Sequence, residues 1–150
     1  MDSLKKSLPS VARIALGLVF FVFGANGFLS FIPQPPSPPA AGAFLGALAA
    51  TGYMFPLIKA TEVVAGALLL AGRYVPLALT LLAPIIVNIV AFHVALAPAG
   101  LPMAVFVLAA EVALAWFYRD AFRSVLDARS TPRSVTTEGP ALSGAQPTRA

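Results

Sequence analysis

The stretch FPLIKATEVVAG, residues 55–66, places Lys59 and Glu62 inside a long apolar run. A spacing of three sets an ammonium and a carboxylate on one helical face, where they can pair, and Gly66 and Arg73 continue that face. Four more polar side chains lie in apolar surroundings: Asn26, Asn88, His93 and Glu111. Carboxylates and imidazole exchange protons, while amides and ammonium groups hydrogen-bond a polar ligand. Asn26, Lys59, Glu62, Asn88, His93 and Glu111 are therefore the candidates for ligand binding or proton relay. The expectation is that all turn inward and that Glu62 and Glu111 join His93 in a protonatable pocket, since an unpaired charge in hydrocarbon costs several kcal/mol.

The competing reading is structural. Lys59 and Glu62 then form an intrahelical pair that serves packing, and the two asparagines act as interhelical hydrogen bonds of about 0.6–2 kcal/mol each. His93 would be a hydrogen-bonded interfacial histidine. Glu111 has no cation within a turn of its own helix, which makes it the more suggestive carboxylate. The sequence assigns no catalytic residue.

These groups must be held by membrane helices. Of 150 residues, 59% are hydrophobic and 11% charged, with mean hydropathy +0.86; soluble domains average about 25% charged. Each span needs about 20 apolar residues, and four such runs are present, at about 11–32, 55–70, 75–97 and 101–118. The proline-rich segment PQPPSPP, residues 33–39, ends the first, because proline lacks an amide donor and disfavours the helical basin for its predecessor. Residues 40–51, rich in Ala and Gly, are too short to span and read as an interfacial or re-entrant helix. Pro84 removes one hydrogen bond inside the third span. The expected fold is all-α: a four-transmembrane-helix bundle over residues 1–126, followed by a disordered cytoplasmic tail over 127–150 that is rich in Ser, Thr, Pro, Gly and Ala.

Charge placement predicts orientation. Lys5, Lys6 and Arg13 precede or open the first span, Arg73 lies in the second turn, and Arg119, Arg123, Arg129, Arg133 and Arg149 follow the last. The connections at 33–54 and 98–100 carry no basic residue, so the positive-inside rule puts both termini in the cytoplasm. Insertion topology thus accounts for the net charge of +4, and no nucleic-acid partner is expected. The first run continues through FLSFI without a clean small-residue cleavage site, which argues for a retained span rather than a signal peptide.

Several chemistries are excluded. With no cysteine there is no disulfide, thiol nucleophile or protein-held iron–sulfur cluster. A single histidine rules out bis-histidine haem within one chain. The sequence lacks a dinucleotide fingerprint, a phosphate loop and a nucleophile elbow, and the polar residues match no known metal-ligand spacing. No intrinsic cofactor or metal is expected; redox work would require a quinone or a partner subunit.

The stretch FVFGANGFLSFIPQPPSPP, then GALAATGYMFPLIKATEVVAGALLLAGRYVPLALTLLAPIIVNIVAFHV, then APAGLPMAVFVLAAEVALAWFYRDAF resembles the DoxX-like group of small four-helix bacterial membrane proteins. The resemblance covers roughly residues 10–123. It rests on the order of NGF, a proline-rich turn, K-x-x-E-x-x-x-G, LLAP, N-I and FH, so that Asn26, Lys59, Glu62, Gly66, Pro84, Asn88 and His93 fall on the group's recurring positions. It implies a multi-pass protein of the bacterial inner membrane linked to membrane redox complexes, although the absence of cysteine leaves no group for sulfur chemistry. Three functions follow as expectations. The first is an accessory, non-catalytic subunit of a membrane redox system that binds a quinone-like ligand, a membrane partner or a second copy. The others are a small proton-coupled transporter and a structural membrane protein.

Overall fold

The computed structural model describes residues 2–33 and 36–128. Six α-helices follow in chain order: α1 (Asp2–Leu29), α2 (Pro39–Ala50), α3 (Met54–Ala71), α4 (Val75–Ala95), α5 (Leu101–Phe117) and α6 (Arg119–Leu126), with one 3₁₀ turn at Pro98–Gly100. Among the described residues there is no strand. Four segments are long and apolar enough to cross a bilayer: Ser7–Leu29, Met54–Ala71, Val75–Ala95 and Pro98–Phe117. This is a multi-pass membrane architecture. The arginines beyond residue 128 and almost all of the expected tail lie outside the described residues.

The first span differs at both ends from the range 11–32. Helix α1 starts at Asp2 and contains Pro9. Proline there removes one hydrogen bond near the start of the helix, which the polar residues preceding the apolar run do not reveal. At the other end α1 stops at Leu29, and Ser30 takes a left-handed φ of 50°. Asn26 causes this stop: the Ile32 N–H donates to its Oδ1 at 2.6 Å, so the chain folds back onto the helix end. The apolar residues FLSFI continue, but the helix does not.

Close packing of α1 on α3 is the main joint. A Cβ placed on Gly66 would lie 2.5 Å from the Phe21 backbone nitrogen, so only glycine admits this approach. Gly17 opposes Leu69 and Leu70, Gly24 opposes Val63, and Gly27 opposes Lys59, which fixes an antiparallel register. Small residues serve this purpose in lipid, where helices gain van der Waals contact rather than a hydrophobic effect. Helix α4 packs between α3 and α5, and α1 also touches α5.

The α3–α4 turn is set by Gly72 at φ 67°, with the Gly72 and Arg73 N–H groups returning to the Leu69 and Leu68 carbonyls. A left-handed residue at a helix end is glycine's usual place. From α1, the Arg13 guanidinium donates to the Leu69 and Leu70 carbonyls, a cation on the negative end of the α3 dipole.

The core is concentrated in the half of the bundle that carries the termini. Leu16, Leu69, Leu79, Leu82 and Leu114 are fully buried there, and Ile86 is fully buried midway along α4. In the half near α2, the packing opens.

Candidate ligand site

In that open half a cleft of about 940 Å³ lies between α3 and α4 beneath α2. Its apolar wall includes Phe44, Leu45 and Leu48 of α2, Phe55 and Ile58 of α3, and Ile85, Ile89 and Phe92 of α4. Its polar side chains are Ser37 before α2, Lys59 and Glu62 from α3, and Asn88 and His93 from α4. The segments 36–38 and 97–100 close its end. No residue of α1 or α5 lines it, so the cleft lies on the flank of the bundle.

Helical phase explains the polar set. Lys59 and Glu62, one turn apart, pair at 2.8 Å, with side chains 20% and 5% exposed. The Lys59 ammonium also sits 5.7 Å from the centre of the Phe55 ring, and its aliphatic stem lies where a side chain on residue 27 would be. Glycine at 27 thus lets the stem cross α1 while the ammonium stays in the cleft.

From α4, Asn88 donates to the Pro84 carbonyl at 3.1 Å, and the rest of its amide is exposed. His93 Nδ1 meets the Ala97 carbonyl at 2.9 Å, and the ring stands edge-on to Phe92 at 5.2 Å. That bond ties the end of α4 to the turn after it. Because a carbonyl only accepts, Nδ1 donates this bond, and through it the imidazole is a structural clamp packed against Gly100. Among the described residues no three His, Asp or Glu side chains converge as a metal would need.

Two of the six candidates lie elsewhere. Asn26 is 6% exposed, and its amide is engaged by the Ile32 backbone at the end of α1. Glu111 is 7% exposed and shares a stripe of α5 with the buried Ala104, Val107 and Leu114. It therefore points into the bundle rather than the cleft, and the expected pocket of Glu62, Glu111 and His93 is not formed. Asn88 departs from expectation in the opposite sense: it is exposed on the flank, not turned inward. Both corrections come from helical phase relative to neighbours, which one helix's sequence does not supply.

Glu111 Oε2 is buried and, among the described residues, has no hydrogen-bond partner. Measured from the helix ends nearest α2 at about 1.5 Å per residue, Glu62 lies roughly 12 Å along α3 and Glu111 roughly 15 Å along α5. Glu62 shares its stripe with Ala65 and Leu69, as Glu111 does with Val107 and Leu114, and all four apolar residues belong to one core cluster. The two carboxylates therefore lie at similar depth against one core cluster, Glu62 on the cleft side and Glu111 inside the bundle.

Helix α2 is the contributor that polar-residue reasoning overlooks. A signal was present: Phe44, Leu45 and Leu48 fall on one side of a helix otherwise built of Ala, Gly and the initial proline. Comparison with protein families, curated proteins and solved structures returns no match for this chain, so its functional reading rests on the cleft itself.

Proposed function

We propose that this chain is a DoxX-like protein of the bacterial inner membrane, with both termini cytoplasmic, acting as an accessory subunit that holds a quinone-like molecule for a membrane redox system. The observation that carries this reading is the composition of the cleft: a large apolar space with four polar side chains of α3 and α4 converging on it. Ligand sites are commonly apolar cavities of about 300–1,000 Å³ with a few placed polar groups. The Lys59–Glu62 pair cancels its own charge at 2.8 Å, which favours a neutral, carbonyl-bearing head over a phosphate. Lys59 Nζ and the second Asn88 amide hydrogen supply donors for such oxygens. Electrons would come from the redox partner, since the chain carries no redox-active side chain set of its own.

The test is mass analysis of small molecules that co-purify with the solubilised protein. Wild type is expected to carry a stoichiometric quinone that is lost in the Glu62→Gln, Asn88→Ala variant and kept in Glu111→Gln. Ordinary lipid in all three samples would refute the reading and leave a structural membrane protein.

A second reading, a proton-coupled transporter, is favoured by one observation, the buried Glu111 oxygen that has no partner among the described residues. Proton flux in liposomes that disappears in Glu111→Gln would support it; no flux above protein-free liposomes would remove it.

A further inference from the structure

We propose that the occupant of the cleft enters sideways from the bilayer, and that α2 is the hinged lid it must pass. This rests on the ligand reading above and concerns the route and the gate. Every helix that lines the cleft belongs to one flank of the bundle: α2, α3 and α4 contribute, and α1 and α5 do not. An aqueous path from the far end of the bundle would meet the fully buried Leu69, Leu79 and Leu82, and at the near end the segments 36–38 and 97–100 lie across the cleft. The flank side is open: Pro84 and Asn88, both in the lining of the cleft, are exposed.

Helix α2 has the build of a lid. Only Ala41 is buried along its length. Its large side chains Phe44, Leu45 and Leu48 face the cleft, whereas side chains added at Gly42 or Gly46 would meet nothing within 4 Å. Across the cleft, Phe44 meets Phe92 of α4 with 5.7 Å between ring centres. After α2, Gly52 takes φ 74°, a conformation open to glycine at little cost. Before it, Pro36, Pro38 and Pro39 constrain the incoming chain. An apolar helix with one loose face, a stiff leader and a glycine joint can swing without disturbing the α1–α3 joint. The occupant class follows: a membrane-dissolved amphiphile with a neutral carbonyl head and an apolar tail.

The absence of cysteine makes the test clean. In the Phe44→Cys, Phe92→Cys variant, reconstituted in phosphatidylcholine vesicles, the two thiols are joined by a short bis-maleimide; the control is the same variant capped with a monofunctional maleimide. An alkyl-benzoquinone with a photoreactive tail is dissolved in the bilayer, irradiated and mapped by peptide mass analysis. Capped protein is expected to be labelled within residues 84–93, and bridging should lower that labelling at least about tenfold. Equal labelling of capped and bridged protein would overturn the lid while leaving the ligand reading intact. A tail-less, water-soluble photoreactive benzoquinone that labels the cleft as well as the alkyl probe would overturn the lateral route. Absence of cleft labelling by either probe, in capped protein and in wild type, would remove the ligand reading and the inference together.

Discussion

The half of the bundle near the termini and the half near α2 are made from the same four helices, yet they are packed differently. In the first, Leu16, Leu69, Leu79, Leu82 and Leu114 are fully buried, and Arg13 ties α1 to the end of α3. In the second, α3 and α4 part, charged and amide side chains replace leucines, and a 12-residue helix too short to span covers the gap. The contrast teaches that fold and site are separable here. Glycine contacts and leucines hold the helices together, which leaves the other half free to carry polar groups that would weaken a uniform bundle.

The sharpest way to break that contrast is at the α1–α3 joint. Gly66→Ala drives a methyl into the Phe21 backbone and should destabilise the protein by about 3 kcal/mol, because backbone cannot yield as a side chain can. Gly46→Ala on the lid meets open space and should be neutral or stabilising by up to about 1 kcal/mol. Thermal unfolding in detergent reads both, and equal losses would mean that α2 is packed as firmly as the joint.

Next in size is a core leucine. Leu82→Ala should cost about 2 kcal/mol, at the low end for such changes because lipid removes much of the transfer term and leaves the cavity term. Ile89→Ala, at the wall of the cleft, should cost less than about 1 kcal/mol in the same assay.

The ion pair sharpens the comparison from the polar side. Lys59→Ala leaves Glu62 buried without its partner and should cost about 2 kcal/mol, whereas Lys59→Met with Glu62→Gln should recover most of that. A double variant no better than the single would show that the stem of Lys59 against Gly27 matters more than its charge.

Glu111→Gln is expected to have the smallest effect. It keeps the shape of a side chain that makes no hydrogen bond through its buried oxygen, so stability should change by less than about 1 kcal/mol. A loss above about 2 kcal/mol would reveal a partner for Glu111 and tie the two halves together through it.

The sequence alone determined the number of spans, their approximate limits and the short helix between the first two. Hydrophobic run length is a local property, and proline and glycine punctuate it locally, so α2 to α5 match their expected ranges to within about two residues. It also determined that Lys59 and Glu62 would pair, because three residues along a helix fix their separation whatever surrounds them. The end of α1 was less legible, since FLSFI remains apolar where Asn26 turns the backbone. Tertiary structure alone decided which polar residues meet. Asn88 and His93 join the α3 pair because α4 presents that face to the flank, while Glu111 is carried into the bundle with Val107 and Leu114. The rotation of each helix about its axis is set by its neighbours' close contacts, the glycines of α1 against α3 foremost, and no single helix encodes that rotation by itself.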